Sequence, residues 1–244
     1  MSLDKTRFHF VGPPFPKNLR DSKGEVPAAI FDLDGTILNT LLDLKHSLNS
    51  ALARLGFPEH TLESCLNMVG FGIQKLVRDA LPSDQRENPD TFAKLYEAFK
   101  EDYAIHQTNK SLPYPGIPEF LDTLASFAWK LAVLSNKNLE NTIQVVKHFF
   151  PGQFNFVLGV SPEIPPKPNP IGAQKLLELM GKDRESVFYF GDTFQDMKLA
   201  TDMGFIPIGV SWGFRGKDEI SAGGAEIIID YPADFLAFLI KTYA

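Results

Sequence analysis

The chain has 244 residues, an ordinary globular balance of 44% hydrophobic and 22% charged residues, and a formal net charge of −6. A chain of this size buries about 70% of its unfolded surface and needs no cross-link for a stable core, and its single cysteine, Cys65, excludes an intrachain disulfide. An acidic balance without a Lys/Arg-rich block argues against nucleic acid as a partner, and no apolar run has the roughly 18 residues of a membrane span. With no signal-like apolar core at the N-terminus either, a cytoplasmic protein is expected.

Residues 1–25 hold Pro13, Pro14 and Pro16 among charges and read as an extended N-terminal lead-in. The apolar run Ala28 to Phe31 then reads as a buried strand that runs out into Asp32, Leu33, Asp34, Gly35 and Thr36. If strand geometry persists through Leu33, the side chains of Asp32 and Asp34 project to one side and converge. Two like charges held that close call for a cation, and the Thr36 hydroxyl is a neutral donor suited to a phosphoryl oxygen. By itself the string also fits a plain turn or, less well, a calcium loop, whose twelfth residue from Asp32 is Asp43 rather than Glu.

Leu41, Leu44, Leu48, Leu52 and Leu55 follow at helical spacing and predict an amphipathic helix closed by Gly56 and Pro58. Further helices are expected around 61–67, 71–80 and 89–106, so that 40–112 reads as a helical unit hinged at 37–40 and 111–116. Beyond Pro113 the texture alternates. Strands are predicted at Lys130 to Leu134, Phe154 to Val160, Val187 to Phe190 and Ile206 to Val210, with helices at 139–150, 170–180 and 195–203 and an edge strand at Ile227 to Ile229. The expected fold is α/β: a doubly wound, Rossmann-like parallel sheet built from 26–39 and 113–244, carrying an inserted α-helical cap at 40–112.

Ligands of such sheets bind beyond the carboxyl ends of the strands. There the sequence places Asp32 and Asp34, then Ser135 and Asn136, then Lys167 among Pro165, Pro166 and Pro168, then Asp192 with Asp196 one helical turn on. Each has a plain reading: Ser135 and Asn136 as a helix cap, Lys167 as a solvated charge, Asp192 and Asp196 as a helix start. Together, four carboxylates and one ammonium suit Mg2+ and a phosphoryl group. Asp32 and Asp192 are the expected direct ligands, Asp34 contributing through its carbonyl and Asp196 within reach of the ion or its waters. In this reading Asp32 is the nucleophile and Asp34 the acid and then the base. Thr36, Ser135, Asn136 and Lys167 hold the phosphoryl group.

The motif set Asp32-Leu33-Asp34-Gly35-Thr36, Ser135-Asn136, Lys167 in a Lys-Pro-x-Pro context, and Gly191-Asp192-Thr193-Phe194-Gln195-Asp196 resembles the haloacid dehalogenase superfamily of phosphohydrolases over residues 26–230. The helical insert is similar to the small cap of the phosphoglycolate phosphatase and beta-phosphoglucomutase subgroup. Met68 to Arg78, and Gly209-Val210-Ser211-Trp212-Gly213, look like phosphoglycolate phosphatase itself. Asn39 stands where the subgroup commonly has Asp and Thr40 replaces a common Ser, and the lead-in is unlike the family. The resemblance implies a Mg2+-dependent phosphatase acting on a small phosphorylated metabolite, phosphoglycolate-like, through an aspartyl-phosphate, as a monomer or homodimer. A phosphosugar mutase and a non-catalytic phosphate-binding module are the alternatives. The presence of Asp34 speaks against dehalogenation, which needs a nucleophile but no acid/base carboxylate two residues on. Substrate choice is expected from the cap, with Lys75 and Arg78 reading an anionic leaving group.

Overall fold

The computed structural model describes residues 26–243, with side chains as far as Leu239, so the lead-in at 1–25 lies outside the described residues. Strand β1 (Ala28–Phe31) is followed by a short β2 (Leu38–Asn39) and the helices α1 (Leu41–Arg54), α2 (Leu62–Met68), α3 (Ile73–Ala80) and α4 (Pro89–His106). The chain returns through β3 (Leu112–Pro113) into α5 (Ile117–Ser126), β4 (Lys130–Asn138), α6 (Leu139–Phe149), β5 (Phe156–Val160) and α7 (Ile171–Met180). It ends with β6 (Val187–Gly191), α8 (Phe194–Met203), β7 (Ile206–Val210), α9 (Lys217–Ala222), β8 (Ile227–Ile229) and α10 (Pro232–Tyr243).

The six long strands form one parallel sheet in the order β5-β4-β1-β6-β7-β8, which puts β1 near the middle and β8 at an edge. All four residues of β1 are buried, as a strand covered on both faces requires. Its side chains alternate between two cores. Ala29 and Phe31 join Phe188, Phe190, Phe120 and Phe235 on one face, while Ala28 and Ile30 join Tyr189, Leu176 and Met197 on the other. On the first face the Phe31 and Phe190 rings stack at 4.6 Å and Phe235 meets Phe190 edge-on at 4.8 Å. Helices α5, α9 and α10 have no counterpart among the predicted elements.

The four helices α1–α4 bury their own apolar cluster, from Leu41, Leu48, Leu52, Cys65, Leu76, Leu95 and Phe99 to Tyr103. This unit is joined to the sheet by the antiparallel pair Leu38↔Pro113 and Asn39↔Leu112. Asp43 seals the return: its buried carboxylate accepts from Lys110 N at 2.9 Å, Ser111 N at 2.8 Å and Ser111 Oγ at 2.7 Å. The residue that the calcium-loop reading would have needed as a ligand is thus a chain-to-chain tie. No described helix is long and apolar enough to cross a membrane.

Candidate active site

Asp32 continues the ladder by one bond, its N–H donating to Phe190 O at 2.9 Å. Then the chain turns. Leu33 O accepts from Thr36, Ile37 and Leu38 N at 3.0–3.3 Å, and Gly35 adopts φ +89°, a conformation open mainly to glycine. Strand geometry therefore stops at Phe31, and the carboxylates of Asp32 and Asp34 part, against the expectation from their spacing. Asp32 joins Asp192 and Asp196, whose ligand oxygens lie within 4.8 Å of one another. Asp34 is outside that group and pairs with Lys137 Nζ at 3.0 Å. Its side chain therefore stands apart from the three carboxylates that could hold a metal.

Asp192 is fully buried at the end of β6. Its Oδ1 accepts from Thr36 Oγ1 at 3.0 Å and its Oδ2 from Phe214 N at 2.7 Å. Thr36, expected on a phosphoryl oxygen, instead has its hydroxyl proton on Asp192, in a site where the residue is 1% exposed. A Cβ on Gly213 would stand 2.5 Å from Asp192 Oδ2, so two close turns, at Gly35 and Gly213, clasp this carboxylate. Asp196 forms a capping box with Thr193 and also takes Lys167 Nζ at 2.7 Å and Tyr189 OH at 3.2 Å on Oδ1. The same side chain thus starts a helix and lies in the carboxylate group with Asp32 and Asp192.

Lys167 reaches Asp32 Oδ1 and Asp196 Oδ1, each at 2.7 Å, with 3% of its side chain exposed. The loop that carries it is tied by Lys167 N, which donates to Asn136 Oδ1 at 2.7 Å. Ser135 and Asn136 do not cap α6: β4 runs on past them with a register shift, and the cap is Asn138, which accepts from Asn141 N at 2.9 Å.

Three buried carboxylates faced by one buried ammonium leave an excess of negative charge where water screens little. Burial raises the Asp32 carboxyl well above the usual range; Lys167 pulls it down, and Asp196 and Asp192 push it up again. Asp192 is pushed up to about 7, by burial first and then by the Asp196 charge. Lys167 would be lowered by burial, but Asp196 and Asp32 outweigh this and hold it charged. A hard oxygen-only donor set short of positive charge fits Mg2+.

A pH dependence follows. A folded-state carboxyl near 7, against an ordinary value of 3.8, keeps its proton where the unfolded chain has lost it, so stability falls as pH rises between those values. The lowered carboxyls of Asp102, Asp230 and Glu163 act at and below their ordinary values of 3.8, 3.8 and 4.5, beneath the pH range compared next. Metal-free protein is expected to melt lower at about pH 8 than at about pH 5.5, and saturating Mg2+ to flatten the slope. Melting curves with equal slopes in chelator and in Mg2+ would contradict the assignment.

A family model described as haloacid dehalogenase-like hydrolase matches residues 29–210, which includes every residue of this cluster. The chain belongs to that family. The haloacid dehalogenase-like hydrolase is 32% identical over 212 residues to the phosphoglycolate phosphatase of Mannheimia succiniciproducens, covering 84% of this chain and 95% of the relative. It is 30% identical over 186 residues to that of Aquifex aeolicus, covering 76% and 84%. A solved structure from Lactobacillus delbrueckii subsp. bulgaricus, described as a candidate phosphoglycolate phosphatase, superposes with TM-score 0.81 at 33% identity, covering 87% of this chain and 98% of that one. The protein is a phosphoric monoester hydrolase.

Between sheet and cap lies a cavity of about 40 Å3 lined by Asp32, Asp34, Ser135, Asn136 and Lys137 below and by Val69, Gly70, Gly72 and Ile73 above. Lys75 and Arg78 of this hydrolase are not on it. Lys75 pairs with Asp79 at 2.7 Å, and Arg78 donates to Arg86 O at 3.0 Å with its guanidinium 4.6 Å from the Phe92 ring. Their helix α3 turns an apolar face, Leu76 and Val77, inward, and the two cations lie off it. The residue that sequence reading missed is Lys137, 1% exposed, between Asp34 and Tyr103 OH at 2.7 Å. Burial would lower its pKa, but the Asp34 carboxylate and the Tyr103 phenol raise it above the ordinary value. The histidines carry no obvious pairing in sequence, yet His46 and His106 meet edge-on at 5.2 Å, with His106 Nδ1 on Asp102 Oδ1 at 3.0 Å.

Proposed function

We propose that the protein is a Mg2+-dependent phosphatase that hydrolyses a small phosphate monoester, phosphoglycolate or a close analogue, through an aspartyl-phosphate on Asp32. One observation carries this reading: Asp32 and Asp34 line one cavity but answer to different lysines, Lys167 and Lys137. The two carboxylates are thereby given separate tasks. A cavity of about 40 Å3 with the cap on one side favours a compact metabolite over a polymer, nucleic acid or membrane surface. The reaction is one for the cytoplasm.

With Oδ1 held by Lys167, Asp32 attacks phosphorus through Oδ2, forming one P–O bond as the bond to the leaving oxygen breaks. Asp34, entering the step with a proton on Oδ1, the oxygen that Lys137 does not hold, gives that proton to the leaving oxygen. It then takes a proton from a water whose oxygen attacks phosphorus, which returns Asp32 and releases inorganic phosphate. Ser135 and Asn136 line the cavity at the phosphoryl end, and Lys167 offsets charge there. Mg2+, held by Asp32 and Asp192 with Asp196 beside them, would screen the charge of the phosphoryl group from that of Asp32.

Phosphate release should be measured over phosphoglycolate, sugar phosphates, nucleotides and pyrophosphate, with and without Mg2+. The expected result is Mg2+-dependent release with the highest kcat/KM on phosphoglycolate. A nucleotide or sugar phosphate ranking first would overturn the substrate, and no release from any ester would overturn the reaction. Lys137→Met is expected to lower kcat about 10- to 100-fold through loss of the partner of Asp34, while the Mg2+ concentration for half-activation is unchanged. A matching change in Mg2+ dependence would show that Lys137 acts on the carboxylate cluster instead.

A further inference from the structure

The loop after β7 touches both the sheet and the cap, and its Phe214 lines the cavity between them. On the sheet side Phe214 N donates to Asp192, and Trp212 Nε1 donates to Thr36 O at 2.9 Å. The next residue reaches the other way. Arg215 Nη1 donates to Leu66 O at 2.9 Å, and Nη2 donates to Val69 O and, at 3.4 Å, to Asn67 O. These are the carbonyls at the C-terminal end of α2, the groups a helix leaves without internal partners and where a cation is favoured. The guanidinium also lies 5.1 Å from the Phe71 ring, and only 8% of the side chain is exposed.

The cap segment so held runs straight into the cavity wall, for Val69, Gly70, Gly72 and Ile73 are its upper lining. The Phe214 side chain inserts into the cap's apolar cluster. One loop of six residues, 211–216, thus carries a donor to a buried site carboxylate and, one residue later, a fork on the cap. A planar guanidinium with several fixed donors suits three carbonyls pointing different ways, which the point charge of a lysine cannot serve equally.

We propose that Arg215 is a specificity-determining residue: it fixes the stand-off between the cap wall and Asp32 and Asp34, and so the size of phosphate monoester that is turned over. Small esters make few contacts of their own with the cap and rely on a close wall to be held in line and shielded from water. A bulkier ester makes its own contacts with the cap and does not need the wall so near. This inference rests on the phosphatase reading but not on phosphoglycolate being the preferred substrate.

The test compares wild type, Arg215→Met and Arg215→Lys on a small ester, phosphoglycolate, and a bulky one, p-nitrophenyl phosphate. In Arg215→Met the ratio of kcat/KM for the small ester to that for the bulky one is expected to fall at least about ten-fold, with Arg215→Lys between. The Mg2+ concentration for half-activation stays within about two-fold, because the donor to Asp192 is backbone. Equal losses on both esters would make Arg215 a structural residue only and overturn the proposal. Hydrogen exchange separates this failure from that of the phosphatase reading. If wild type releases phosphate from neither ester, that reading falls, and unchanged exchange over 66–72 in Arg215→Met removes the stand-off role as well. Faster exchange there supports it.

Discussion

Replacing Lys167 with Met is expected to destabilise the metal-free protein by about 3–5 kcal/mol and to abolish turnover. The ammonium bridges Asp32 and Asp196 at 2.7 Å each and is 3% exposed, so neither carboxylate can recruit water in its place. Methionine fills the volume of the stem, which keeps a cavity from confounding the result. What remains is three buried carboxylates with no buried cation beside them. The Mg2+-induced rise in Tm should therefore be larger in Lys167→Met than in wild type, since the ion then offsets charge that Lys167 offset before. A metal-free Tm within about 2 °C of wild type would show that the cluster is not held together by this ammonium.

The opposite end of the same ion pair should behave in the opposite way. Asp32→Asn is expected to lower phosphate release by about 10^4-fold or more, because the amide is a poor nucleophile toward phosphorus. Yet its metal-free form should melt no lower than wild type. The substitution removes one negative charge from a group that carries too many, and Lys167 keeps its bond to Asp196. The burial that raises the Asp32 carboxyl is a destabilising contribution relieved by the amide. Melting in chelator measures this directly, and a fall of several degrees would mean that Asp32 contributes more to the fold through Lys167 than it costs by burial. Stability and catalysis are then opposed at Asp32 and aligned at Lys167.

The residues that sequence exposes well are those whose environment is local. Asp32, Asp192 and Asp196 sit at the ends of short apolar runs, and a parallel sheet places strand ends together regardless of how far apart they are in the chain. Lys167 was legible through the prolines around it. The direction of a side chain beyond a strand end was not legible, because it depends on one turn: the reversal at Gly35 sends Asp34 to Lys137 and puts Thr36 on Asp192. Lys137 could not be found because its partner Tyr103 lies 34 residues earlier, on α4, and a lysine in a strand normally marks an edge. Lys75 and Arg78 are cap cations suited to an anionic leaving group, but the helix phase turns them away from the cavity. Arg215, from a loop with no periodicity at all, is a cation that does hold the cap segment along the cavity.

The two-residue ribbon of β2 and β3 has an architectural consequence. The chain leaves at Leu38 and returns at Pro113, and these two residues stand opposite each other in the ribbon, with Tyr114 N donating to Ile37 O at 3.2 Å beside them. Everything between is topologically a hairpin loop, however long, and neither the six-stranded sheet nor the Asp32–Lys167–Asp196 bridge draws a residue from it. Substrate range and bond-breaking chemistry can therefore diverge as separate modules, with three ties to be renegotiated at each exchange: Asp43 to the returning chain, Tyr103 to Lys137, and Arg215 to the end of α2.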